Sequence, residues 1–110
     1  MAYNYDEPVL MTISATGRYY IQLAPFGAAT LHILTVSGLT FTVECTMDQT
    51  NFASARYAVN DTLQTLGDAC TPNALDVIDI TPGLFKWICI NVSAGTGTGK
   101  SMVGNGNKNL

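Results

Sequence analysis

The run Leu39–Thr46, LTFTVECT, alternates apolar and polar residues without a break. Successive side chains of a β-strand point to opposite faces. Leu39, Phe41, Val43 and Cys45 therefore share one face, and Thr40, Thr42, Glu44 and Thr46 the other. This predicts a half-buried strand with a Thr-rich outer side. Upstream, TLHILTV (30–36) predicts its hairpin partner, joined across Ser37-Gly38 by a tight turn in which Gly38 takes positive φ. RYYIQL (18–23) is rich in the aromatic and β-branched residues that suit a pleated surface. Further strands are expected at VLMTIS (9–14), ALDVIDI (74–80), LFKWICINV (84–92) and KSMV (100–103). DITPGL (79–84) reads as a Pro-Gly corner between two antiparallel strands. Segment 47–73 reads as a long loop with one short strand near ARYAV and another near TLQTL.

No window has helical period, and Gly, Pro, Asn and Thr punctuate the chain throughout. The expectation is an all-β protein, an antiparallel β-sandwich or jelly roll of about seven or eight short strands. Residues 13–103 would form this one domain, after an extended N-terminal arm (1–12) and before a flexible tail (104–110). LFKWICINV is apolar on both faces: Leu84, Ile88, Ile90 and Val92 on one, Phe85, Trp87 and Cys89 on the other. A strand of this kind is expected to be covered on both sides, by the second sheet and a neighbouring subunit.

Only 12% of the 110 residues are charged, about half the typical share, so part of the surface is expected to be covered by a partner. The net charge is −3, and Arg18, Arg56, Lys86, Lys100 and Lys108 are scattered. Nucleic-acid binding needs converging cations, so no nucleic-acid partner is expected. MAYNYDEPVL lacks a basic segment followed by a long apolar one and does not read as a signal peptide. No apolar run is long enough for a helical membrane span, and no membrane partner is expected. Cys45, Cys70 and Cys89 make no C-x-x-C pair, and with His32 as the one histidine a four-ligand zinc site is hard to assemble. Free thiols are expected, with a Cys45–Cys89 bridge across facing strands left open.

Ala94–Ser101, AGTGTGKS, fits a relaxed Walker A pattern after an apolar strand. A phosphate loop needs a helix N-terminus behind it. MVGNGNKNL follows instead, interrupted by glycines, so the stretch reads as a flexible loop between the last two strands, with no nucleotide and no cofactor. Asn91-Val92-Ser93 fits the glycosylation pattern but lies on a predicted strand. Asp48, Asn51, Asn60 and Asp61 lack EF-hand spacing and read as turn formers, with no metal. His32 has no partner for catalysis, and Asp76 and Asp79 fall on opposite strand faces, so no catalytic residue is assigned. Tyr3, Tyr5, Tyr19, Tyr20 and Phe26 cluster early in the chain and read either as one sheet's aromatic face or as an interface. Tyr3 and Tyr5, on an arm with no core of its own, are read as interface residues with Pro8, and so are Phe85 and Trp87 on the two-sided strand.

Two stretches carry a resemblance. FTVECTMDQTNF has an alternating strand ending in Glu44, Asp48 and the pair Asn51-Phe52. ALDVIDITPGLFKWICINVSAGTGTG runs strand, Pro-Gly corner, strand and Gly/Thr stretch. Residues 27–100 resemble the small β-sandwich proteins encoded among bacteriophage virion genes, in which patterns like E-x-S-x-D-x-x-N-W and G-x-[FY]-[KR]-x-[IVL]-R-[IVL] recur. Phe52 stands where Trp is commoner, and Cys89 where an Arg often sits. The resemblance implies a non-enzymatic virion component made in the host cytoplasm and placed on the capsid surface. It would be a decoration (cement) protein that binds the major capsid protein as a homo-oligomer, a trimer in the form such proteins often take, sometimes with an extended N-terminal arm. The alternative is a carbohydrate- or host-surface-binding module of a tail or fibre, with Phe52 and Tyr57 as a sugar platform.

Overall fold

The computed structural model describes residues 6–82 and 85–104. The chain is all-β and antiparallel, with no helix among the described residues. Its eight strands are β1 (Val9–Ile13), β2 (Gly17–Gln22), β3 (Ala28–Thr46), β4 (Ala53–Ser54), β5 (Tyr57–Val59), β6 (Thr62–Leu63), β7 (Val77–Ile80) and β8 (Trp87–Gly104). They hydrogen-bond into one sheet in the order β1-β8-β3-β7-β5-β6, with β2 also on β8 and β4 also on β3.

Two of these strands are not short. β3 has 19 residues and β8 has 18, and they pair along almost their whole length. Nineteen straight residues would span about 60 Å, yet the longest dimension of the molecule is 39 Å. The ribbon is therefore folded over. Leu23 N–H donates to the Lys86 carbonyl at 2.7 Å, and Gly27 N–H donates to the Gly104 carbonyl at 3.1 Å. Four residues of chain reach no further than about 14 Å, so the two ends of β8 meet. The halves of the sheet close face to face, and a single core fills the space between them. Ile13, Ile21, Leu31, Phe41, Ile78, Ile88 and Ile90 all belong to it.

The fold line crosses three strands. β1 and β2 form one edge along β8, interrupted at residues 14–16, where the Tyr19 hydroxyl donates to the Ala15 carbonyl at 2.8 Å. Between Ile33↔Gly99 and Phe41↔Val92, β3 takes eight steps and β8 only seven. The extra residue is a β-bulge, which bends a strand and increases its twist. Because of these shifts β8 buries Ile88, Ile90 and Val92 in one half but Gly97, Gly99, Ser101 and Val103 in the other.

Two sequence expectations are corrected here. Residues 30–36 and 39–46 are not a hairpin, since both lie on the continuous strand β3. Gly38 does take positive φ (62°), but as part of an irregularity that bends β3, because β8 offers a partner on both sides of it. AGTGTGKS is not a loop either. It is extended between β3 and β1, joining the expected strands 84–92 and 100–103 into β8. Its glycines are there for proximity: a Cβ on Gly99 would sit 2.9 Å from the His32 carbonyl, and one on Gly95 would collide with the backbone of Gly38.

The expected alternation of LTFTVECT holds for the inner face, with Leu39, Phe41, Val43 and Cys45 all buried. Thr46, expected outside, is buried as well. The short strands near ARYAV and TLQTL are β5 and β6, joined by Asn60-Asp61, both at positive φ as in a two-residue hairpin turn. β7 and β8 are not antiparallel neighbours, because β3 lies between them. Gly83 of the expected Pro-Gly corner, and Leu84 after it, lie outside the described residues. Of the arm expected over 1–12, residues from Val9 onward pair with β8, and Asp6 N–H donates to the Val103 carbonyl. Tyr3, Tyr5 and residues 105–110 of the expected tail lie outside the described residues.

Gly95→Ala combines a backbone collision with positive φ and is expected to cost about 2–4 kcal/mol. Gly38→Ala meets open space and only the φ penalty, about 1 kcal/mol. Urea unfolding of the two variants compares them, and equal losses would contradict the close crossing.

Candidate functional site

The outer face of the β2–β8–β3–β4 half carries the Tyr20, Phe52 and Trp87 rings with the cations Arg18 and Lys86. Register decides its membership. Arg18, Tyr20 and Gln22 of β2 stand opposite Asn91, Cys89 and Trp87 of β8, which stand opposite Thr42, Glu44 and Thr46 of β3. β4 returns beside Glu44 and Cys45 and brings Phe52 over this surface. Tyr20 and Phe52 stack, with ring centroids 6.5 Å apart, and the Arg18 guanidinium lies 4.0 Å from the centre of the Phe52 ring. Arg18 Nε also donates to Glu44 Oε1 at 3.4 Å. Lys86 Nζ lies 4.6 Å from the Trp87 ring.

Beneath this cluster the Cys89 side chain is fully buried, and burial, followed by the nearby Glu44 carboxylate, pushes its thiol up to about 12. Burial likewise pushes Cys70 up to about 11 and raises Cys45. Nucleophilic cysteines need the opposite shift. Cys45 stands opposite Ile88 and Glu44 opposite Cys89, so the Cys45 and Cys89 side chains point to opposite faces, and all three cysteines are free.

The β3–β4 loop is held by its own polar groups. The Thr46 hydroxyl donates to the Asn51 carbonyl at 2.6 Å and accepts the Gln49 N–H at 2.9 Å. Asp48 Oδ1 accepts the N–H groups of Asn51 and Thr50, and Oδ2 accepts the Asn51 side-chain amide. The Asn51 N–H foremost, then that amide and the Thr50 N–H, hold the Asp48 carboxyl well below the usual carboxylate range. Beside this loop lies an open apolar groove of about 260 Å³, lined by Cys45, Met47, Asp48, Asn51, Phe52, Ala53 and Phe85.

Of the residues read as interface, Phe85 lines this groove and Trp87 stands half-buried on the adjoining outer face. Pro8 is exposed at the other end of β8, just before Val9, which pairs with Ser101. Phe85 also packs against the core, so Phe85, just before β8, and Trp87, its first residue, sit in different surroundings, and Pro8 stands beside the segment of β1 that pairs with the end of β8. Tyr57, considered for a sugar platform, is a core residue whose hydroxyl donates to the Asp68 carbonyl. His32 is exposed on the outer face between Lys100 and Val77. Asp76 accepts from Asn60 and Asn73, and Asp79 from Thr30, so each carboxylate has a local structural partner. Sequence reasoning reads Tyr20 only as one of an early aromatic cluster, and Arg18 and Lys86 only as scattered cations. The alternation of RYYIQL does put Arg18 and Tyr20 on one side, but only the pairing with β8 places them over Cys89.

No family model matches the chain, and no curated protein matches it. Among solved structures, the crystal structure of SPBc2 prophage-derived protein YomS is similar, with a TM-score of 0.62 over 89% of this chain and 90% of that one, at 14% identity. The fold is that of a prophage-derived protein. At this identity the likeness concerns the fold alone, and nearly the whole of each chain takes part in it.

Two outcomes test the site. Phe52→Ala removes a stacked ring and a cation–π partner and is expected to cost about 2 kcal/mol and to speed alkylation of Cys89, measured by thiol labelling of the folded protein. Asp48, with its folded pKa depressed, stabilises the fold above its unfolded value near pH 4 and loses that contribution as the pH falls toward the folded pKa. Thermal unfolding of the wild type should therefore weaken below about pH 4, and Asp48→Asn should flatten that decline.

Proposed function

We propose that this chain is a non-enzymatic structural component of a bacteriophage particle, a decoration protein that self-associates and binds the major capsid protein on the capsid surface. The likeness of fold to a prophage-derived protein supports the phage setting. The observation that carries the binding role is the outer face of the β1-β8-β3-β7-β5-β6 half. Register sets Met102, Thr30, Asp79, Ala58 and Leu63 in one row across it, and Leu10, Lys100, His32 and Val77 in the next. Leu10 is 60% exposed and Leu63 is 67% exposed, with Met102 also open to solvent. A broad sheet face with large apolar groups at both margins and few charges is suited to a flat protein partner. Synthesis in the host cytoplasm fits a chain whose cysteines are all free thiols.

The carbohydrate-binding alternative keeps Phe52, half-buried and stacked on Tyr20, but loses Tyr57 to the core. Purified protein added to capsids that lack it, and in parallel to a glycan array, separates the two readings. Saturable co-sedimentation with capsids is expected, and the double variant Leu63→Lys/Met102→Glu should weaken it about tenfold or more. Glycan binding without capsid binding would overturn the proposal.

A further inference from the structure

One leucine is held where neither the backbone nor the core favours it. Leu75 takes a φ of 71°, in the left-handed region, and its side chain is 66% exposed. Among the described residues the other non-glycines at positive φ are Gln49, Asn60 and Asp61, all polar. Asn and Asp tolerate this region because a short polar side chain can bond locally, whereas an apolar side chain meets the steric penalty without that compensation. The neighbouring hydrogen bonds explain why the conformation is imposed. Leu75 N–H donates to the Ile33 carbonyl, and Ile33 N–H donates to the Asp76 carbonyl, both at 2.9 Å. Two residues thus stand against one, a β-bulge whose first residue is left-handed, the place that glycine fills most readily. Asp76 clamps the turn. Its carboxylate accepts the Asn73 N–H at 2.9 Å and the Asn60 side-chain amide at 2.8 Å, and the Asn60 side-chain oxygen accepts the Val77 N–H. A strained conformation persists where its surroundings over-determine it in this way.

We infer that Leu75 is the anchor of the capsid contact, a preset side chain that enters an apolar pocket of the major capsid protein. Bulges re-aim side chains beside binding sites, and strained residues gather at ligand clamps. Continuity with the face proposed above selects the occupant. The bond to Ile33 sets Leu75 next to His32, beside the row formed by Leu10, Lys100, His32 and Val77. Leu10 and Leu63 stand at the two lateral margins of that face, and Leu75 stands on a third side, as exposed as either. Because the clamp already fixes its backbone, burying Leu75 against a partner costs less ordering than burying a side chain on a loose loop. The inference rests on the capsid-binding reading and names the residue on which that contact depends most.

The test is co-sedimentation of the wild type and Leu75→Asn with capsids that lack the protein, alongside thermal unfolding of the two free proteins. Asparagine tolerates positive φ, so the variant is expected to unfold about 3 °C higher. It is also expected to bind capsids at least about tenfold more weakly. A residue with a merely structural role would move both quantities the same way. A variant that binds as tightly as the wild type would overturn the inference and leave the capsid reading standing. So would a variant that unfolds at or below the wild-type temperature, since the fold would then favour leucine at this position. Should the wild type itself ignore capsids, the capsid reading falls and the anchor falls with it.

Discussion

Everything in this fold hangs on the crossing of two backbones, β8 at Gly95 against β3 at Gly38 and Leu39. A side chain at Gly95 would hold the strands apart where the ribbon must bend most tightly. Without that bend, β3 and β8 would form a long flat ladder with one apolar face open to water. With it, the two halves of the sheet cover one another, and the apolar area of both inner faces leaves solvent together. The bulge in β3, the break between β1 and β2, and the change in which residues β8 buries are consequences of the same geometry. Each keeps the apolar set facing inward after the chain has turned the corner.

Period two was legible in the sequence because it is local. The inner face of LTFTVECT, the strand at RYYIQL and the two short strands in 47–73 needed nothing beyond neighbouring residues. The glycines were misleading for a physical reason. Ser37-Gly38 and AGTGTG have the composition of turns, and the same positive φ serves a turn or a bulge. Which one forms depends on whether a partner strand runs past the site, and here that partner lies about sixty residues away in sequence. The pairing of Arg18, Tyr20 and Phe52 over Cys89 was hidden for the same reason. Three strands and a loop must be in register before those side chains meet. Phe85 and Trp87 were visible because an apolar run on both faces of a strand is a one-dimensional signal.

The surfaces divide the molecule into parts with different physical character. Over Cys89, rings and cations are matched to one another and the polar loop around Asp48 is satisfied internally. The other outer face keeps apolar groups turned to solvent. Exposed apolar surface in a chain with few charges marks a candidate contact, and this is why the proposed contacts fall there instead of on the more conspicuous aromatic cluster.

The position of β8 in the sheet also has a temporal meaning. β1, β2 and β3 all take their principal partner from it, and it is the last of the eight strands to be made. Until it is made, β1 and β2 have no partner strand, and β3 has only the short strands β4 and β7. The contacts with β8 are distant in sequence, and loop closure must precede the stabilisation they bring. Only the pairs β3–β4, β3–β7, β5–β6 and β5–β7 can form without β8, so β1, β2 and the closing of the sheet on itself wait for the glycine-rich strand.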